Sequence, residues 1–240
     1  MLCSGFRCFL RNAVRCLWLS PGLVPFLPVL VPAAHAARPM QTDDARIVDA
    51  GACQLESWVR LNRHSTEYWA LPSCNPMGNF ELTLGGAHTH QDGVAQTTDV
   101  MFQGKTVFKP LETNGWGIGL AVGTVRHPQY AIRGRDWNAY VPATFSFRED
   151  RVLLHTNLGW LRGQETKQHA AIWGVGSEIQ LSGRIWLIGE TFGQNQGRPL
   201  YQAGLRYWII PNRVQIDTTV GNRFEHERDE RWFTIGLRLL

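Results

Sequence analysis

A chain of 240 residues with a formal net charge of +4 and only 18% charged residues carries its small basic excess dispersed, which excludes a nucleic-acid footprint. Beyond the N-terminal segment no apolar run reaches the roughly 18–20 residues that a transmembrane helix needs, so a helical membrane protein is excluded too. Ten Trp and 24 Gly are the distinctive features, in a length that suits one sizeable barrel or one soluble domain.

The N-terminus reads as a secretory signal. Arg7, Arg11 and Arg15 form its positive region, Leu17 to Pro32 its apolar region, and Ala34-His35-Ala36 an A-x-A site that places cleavage after Ala36. Pro21, Pro25, Pro28 and Pro32 suit an uncleaved anchor helix poorly. Residues 1–36 are thus a cleaved signal, 37–51 a polar lead-in without periodicity on the periplasmic side, and 52–240 the folded body. Cys3, Cys8 and Cys16 leave with the signal, and Cys53 and Cys74 remain. In an oxidising compartment these two are expected to form a disulfide. If 53–61 and 68–74 pair about an Asn62–Ser65 turn, Cys53 falls opposite Cys74, Leu55 opposite Pro72, Ser57 opposite Ala70 and Val59 opposite Tyr68.

The mature chain then alternates apolar and polar residues with a period of two, the signature of strands with one face of each kind. Leu55, Val59 and Leu61 oppose Gln54, Glu56, Trp58 and Arg60; Phe80, Leu82 and Leu84 oppose Glu81, Thr83 and Gly85. Val100, Phe102, Thr106 and Phe108 oppose Asp99, Gln103, Lys105 and Lys109. In the fifth strand Trp116, Ile118, Leu120 and Val122 oppose an almost continuous small face, Gly115 to Gly123, that leaves room for something to approach closely. The pattern continues through strands near 138–147, 152–160, 173–181 and 185–191, and is cleanest in the hairpin Leu200 to Gly221 with its Pro211-Asn212 turn. Phe233, Ile235, Leu237 and Leu239 close the series. About twelve strands result. Connections at 62–67, 88–93, 126–136, 163–169, 193–198 and 222–231, mostly longer and polar, alternate with shorter ones near 75–78, 110–114, 148–150, 182–183 and 211–212.

Long loops alternating with short turns and an even strand number mark an all-β, antiparallel up-and-down transmembrane β-barrel. Glu56, Arg60, Glu81, Lys105, His155, Glu178, Arg184, Glu190, Arg206, Asp217 and Arg238 take the polar parity and are expected to line the lumen, where charges pair or are hydrated. A secreted β-sandwich or lipocalin-like barrel shows the same alternation with the opposite sense. Within the membrane reading, a narrow pore selective through its charges and a barrel filled by cross-pairing of those charges both fit.

The strand-and-glycine patterns of the C-terminal half, Asn157-Leu158-Gly159-Trp160, Trp173-Gly174-Val175-Gly176, Ile185 to Glu190, Ala203 to Trp208 and Phe233 to Leu237, resemble a family of exported barrels known as the putative MetA-pathway of phenol degradation, or transporter-like, family. That resemblance implies an outer-membrane barrel with a transport role and no catalytic residues. The chain departs from such barrels in ending Leu239-Leu240 rather than on an aromatic residue.

The chemistry-bearing residues outside the lumen set form no strong motif. His88 and His90 share a face but lack further ligands, so no metal site and no cofactor are expected. His155-Thr156-Asn157 lacks the serine of an outer-membrane phospholipase. Asp136 and His127, or His226 and Asp229, are loose candidates for a rim hydrolase. The reading is an outer-membrane barrel of a Gram-negative bacterium, exported by the Sec pathway. Its partners are outer-membrane lipids, the barrel-assembly machinery and an unknown small solute, with no nucleic acid. A barrel binding through its loops and a lipid-modifying hydrolase are the alternatives.

Overall fold

The computed structural model describes residues 40–93, 95–129, 134–164, 167–225 and 230–240. The signal segment and the pair His226/Asp229 lie outside the described residues. The body is one closed, wholly antiparallel barrel in which each strand pairs with its sequence neighbours and the last returns to the first. The strands are β1 (Cys53–Asn62), β2 (Ser65–Cys74), β3 (Phe80–Gln91), β4 (Thr97–Lys109), β5 (Trp116–Arg126), β6 (Arg135–Phe147), β7 (Val152–Arg162), β8 (His169–Gln180), β9 (Ile185–Gln194), β10 (Leu200–Ile210), β11 (Val214–Arg223) and β12 (Trp232–Leu239). The closing ladder runs in register from Leu55↔Leu239 to Asn62↔Trp232. The first hairpin has the register expected from sequence, Cys53↔Cys74 through Val59↔Tyr68, and the two cysteines form a disulfide.

The alternation decides which way each face points. On β10, Tyr201, Ala203, Leu205, Tyr207 and Ile209 are exposed, whereas Gln202 and Arg206 are buried. Large apolar side chains stand outward all around the wall, among them Leu84, Phe102, Val122, Val141, Leu158, Leu187, Val220 and Ile235. Burying hydrocarbon is worth about 25 cal/mol per Å², so an outer belt of this kind needs an apolar surround. Outward aromatics sit near both ends: Phe108, Trp116, Phe147 and Tyr207 toward the short-turn end (the base), and Tyr68, Trp137, Trp160, Tyr201 and Phe233 toward the other (the rim). Two aromatic girdles flanking an apolar belt match the profile of a bilayer-spanning barrel.

Three expectations need correction. The first rim connection is only Arg63-His64, because β1 and β2 stay paired up to Leu61↔Thr66. His88–Gln91, read as loop, belongs to β3, where Ala87 to Thr89 pair with Thr97 to Asp99 of β4. Within the polar lead-in, residues 40–48 lie inside the barrel, whereas Asp49, Ala50 and Gly51 are exposed. Met40, Gln41, Thr42, Asp43, Asp44, Ala45 and Val48 are all buried within it.

Replacing Leu205, in the outward belt of β10, by Arg is expected to cost about 2–4 kcal/mol in lipid, as for a cation near mid-bilayer. Urea titration of the protein refolded in vesicles measures it. A cost near zero would place this face in water.

Candidate functional site

The lumen is where the polar side chains converge. Its wall carries four opposite-charge pairs directly across neighbouring strands among the described residues: Glu56↔Arg238, Arg60↔Glu67, Glu81↔Lys105 and Arg206↔Asp217. Cross-strand neighbours stand about 4.5–5.5 Å apart at Cβ, so such pairs meet without distortion. Arg206, 2% exposed, is the centre of the densest group. Its Nε and Nη2 reach the two oxygens of Asp217 at 2.9 and 3.1 Å, and its Nη1 reaches Glu178 at 2.5 Å. Gln215 donates to Asp217 at 2.7 Å, and Nε2 of His155 stands 3.3 Å from Glu178. Toward β1, Nε of Arg238 is 3.2 Å from Glu56 and 3.0 Å from Oε1 of Gln54. Satisfying a buried charge with several charge-assisted hydrogen bonds is what makes its burial tolerable.

The segment 40–48 enters from the base, where Asn75 accepts from the N–H of Gly51 and donates to the carbonyls of Ala52 and Val48, and climbs to the middle of the lumen. Being extended and aperiodic, it has backbone groups that no strand satisfies, and the wall satisfies them with side chains. Glu190 accepts the N–H groups of Gln41 and Thr42 at 2.7 and 2.6 Å. Thr144 accepts that of Ala45 at 2.8 Å, and Glu81 that of Val48 at 2.9 Å. Asn157 grips the peptide of Asp43 on both sides, its Oδ1 accepting the N–H at 2.6 Å and its Nδ2 donating to the carbonyl at 2.9 Å. The Asp43 carboxylate meets Lys105 Nζ at 2.8 Å and the Tyr140 hydroxyl at 3.0 Å, with Asp44 3.7 Å from Lys105.

Glycines of β8 make the bed for this segment. A Cβ on Gly174 would stand 2.5 Å from Oγ1 of Thr42, and one on Gly176 2.8 Å from Cε of Met40. On the rim side the lumen narrows differently: Trp58 stacks on Trp69 at 5.3 Å beside Leu71, Ala87, Met101 and Val125, and Arg60 lies over the ring of Trp232 at 5.4 Å. A pocket beside the segment, between Asp43, Asp44, Glu81, Lys105 and Arg238, amounts to about 10 Å³, room for one water. Among the described residues, the segment and the inward side chains fill the middle of the lumen.

Of the residues expected to line it, Glu56, Arg60, Glu81, Lys105, His155, Glu178, Glu190, Arg206, Asp217 and Arg238 sit on inward-facing strand positions. Arg184 does not. It is exposed in the turn before β9, where the chain leaves the pleat and strand parity no longer fixes direction. Sequence reasoning missed the inserted segment and its holders Thr144 and Asn157. The available signal was the pairing of an aperiodic polar stretch with the alternating glycines of β8.

Two other clusters bear on chemistry. His155 faces the lumen at 1% exposure, with Thr144 Oγ1 3.0 Å from its Nδ1, whereas Thr156 points outward, so the two residues stand on opposite faces of β7. At the rim, His127 and Asp136 do come together, joined by Asp99. Its Nδ1 is 2.7 Å from Asp99 and its Nε2 3.1 Å from Asp136. The hydrogen bonds to Asp136 and Asp99 raise its pKa from 6.5 to about 9, holding an imidazolium with both nitrogens committed. An imidazolium so engaged ties β4 to β6 and does not accept a proton at neutral pH. His88 and His90 are exposed and bridged by Gln96, and no cluster of metal ligands occurs among the described residues.

A closed twelve-strand barrel with an apolar exterior and a polar interior has the fold of outer-membrane porins. The KdgM porin, solved in complex with disordered oligogalacturonate, matches at 9% identity and a TM-score of 0.61, over 78% of this chain and 98% of that one. The COG4313 outer membrane channel from Pseudomonas putida F1 matches at 10% identity and 0.55, over 81% and 96%. Outer membrane phospholipase A from Escherichia coli shares the fold at 11% identity and 0.52, over 83% and 93%. Curated protein sequences gave no match. The chain belongs to the family described as uncharacterised conserved protein UCP029691, whose pattern it matches over residues 26–240.

Replacing Arg206 by Ala would leave Glu178 and Asp217 buried without their cation, a loss of about 3–5 kcal/mol measurable by urea titration. At the rim the pKa of His127 is raised by folding, so its contribution to stability is complete below pH 6.5 and disappears as pH rises through about 9. The gap in urea midpoint between the native chain and His127→Ala is therefore expected to hold flat to pH 6.5 and close by about pH 10. A gap independent of pH would show that the imidazolium charge contributes nothing.

Proposed function

We propose that this protein is an outer-membrane channel for a small solute, held closed by its own N-terminal segment. The observation that carries this reading is the way the lumen is filled. The segment is held by hydrogen bonds and ion pairs from Glu190, Thr144, Asn157, Lys105 and Glu81, contacts that water can replace, and its Met40 and Thr42 side chains rest on the glycines of β8. The wall charges around Arg206 and Arg238 also pair with one another across neighbouring strands. Cleavage after Ala36 would leave only Ala37, Arg38 and Pro39 ahead of Met40, so the segment would be a free end able to withdraw toward the base. Export by the Sec pathway, insertion by the barrel-assembly machinery and residence in the outer membrane of a Gram-negative bacterium complete the reading.

A second reading draws on the same filling: a barrel that stays shut and acts through its rim loops. Planar-bilayer recordings of the refolded mature chain and of Glu190→Ala, which removes the acceptor of the Gln41 and Thr42 N–H groups, separate the two. The channel reading expects rare openings for the native chain and an open probability at least tenfold higher for the variant. If both stay silent while running as heat-modifiable folded barrels, the channel reading fails and the loops become the place to look.

A further inference from the structure

We infer that the mid-lumen wall formed by Lys105, Tyr140 and Asn157 is a binding subsite for a solute carrying a carboxylate next to an amide, and that Asp43 occupies it as an internal competitor. The inference rests on the channel reading in one respect, that the segment can withdraw. The argument comes from how Asp43 is held. Asn157 reads the two amides that flank one residue, its oxygen accepting the N–H of Asp43 and its nitrogen donating to the C=O of Asp43. Lys105 and Tyr140 converge on a single carboxylate oxygen of Asp43 at 2.8 and 3.0 Å. These are two separate recognition elements, set a side chain's length apart on β4, β6 and β7. Rigid strands position them, and strand-borne sites are more exact than loop-borne ones.

Charge accounting favours an acid. With the segment in place, Lys105 faces Asp43, Asp44 and, across the strand pair, Glu81. Withdrawal removes the first two and leaves one cation beside one carboxylate, plus an uncharged phenol and amide. A carboxylated solute entering then restores the interaction that left, whereas in the closed state it meets two aspartates in its place. Segment and solute are mutually exclusive, so apparent affinity falls by the fraction of barrels that are open.

The probe is N-acetylaspartate amide, with N-acetylasparagine amide and succinate as controls. Its binding is measured by calorimetry to detergent-folded protein. The native mature chain is expected to bind at least tenfold more weakly than its variant D43N/D44N, in which the competitor is neutralised. Adding Lys105→Gln to that variant is expected to remove at least tenfold of the gain. Adding Asn157→Ala instead should erase the preference for N-acetylaspartate amide over succinate. Should D43N/D44N fail to fold, Glu190→Ala serves in its place. The inference is overturned if the folded variant binds no acid, or if binding ignores Lys105. Binding without bilayer conductance would sink the channel reading and leave the subsite standing; conductance without binding would do the reverse.

Discussion

Pairing of β12 with β1 is the constraint from which the rest of the structure follows. In hydrocarbon an unpaired peptide group costs several kcal/mol, so a sheet can cross a bilayer only when it has no edge. Closure forces each strand to present one face outward and one inward over its whole length. A single slip in the ladder would carry Arg206 and Glu178 outward and Leu205 inward. The apolar exterior and the charged interior are thus two consequences of one register. The small number of strands then sets the lumen's width, so that side chains from opposite walls nearly meet.

Within that width the interior solves the problem of buried charge locally. Cross-strand placement puts Arg206 against Asp217 and Arg238 against Glu56, while Gln215 donates to Asp217 and Gln54 accepts from Arg238. The other half of the wall is left with groups that have no such mate. Glu190 has only Gln202 from a neighbouring strand, at 2.5 Å, and Asn157 and Thr144 present polar atoms to the axis. The segment 40–48 supplies what these lack. Its N–H groups go to the acceptors, and its aspartates go to Lys105.

This division explains which parts of the molecule were legible in the sequence. Strand parity is local, and it identified the outward belt, the hairpin register of Cys53 with Cys74 and nearly every inward charge. It failed at Arg184, where counting by twos was carried past the end of the pleat into an exposed turn. It failed again at the first rim connection, where polar residues Asn62 and Ser65 remain in the ladder because nothing in a two-residue period distinguishes a wet strand end from a loop. The location of Gln41 to Asp44 was not readable at all from local pattern. An aperiodic polar stretch looks like a lead-in whether it sits in water or in a polar lumen, and the difference lies in residues a hundred or more positions away.

The glycines show how such a long-range relation leaves a trace. Gly119 needs its missing side chain for ordinary strand packing, since a Cβ there would meet the carbonyl of Thr106 on the adjacent strand at 2.5 Å. Gly174 and Gly176 differ. Their Cβ positions are blocked by Thr42 and Met40, atoms of the inserted segment rather than of the wall. With the segment withdrawn, these two positions become open floor. The wall is therefore shaped for an occupant of peptide-like width, and its polar atoms are spaced for amide and carboxylate groups. A lumen meant only to be solid is filled more cheaply by apolar side chains, as its own Trp58–Trp69 layer shows. A polar bed beneath a polar occupant is the arrangement the proposed channel needs, because each contact between them can be exchanged for water.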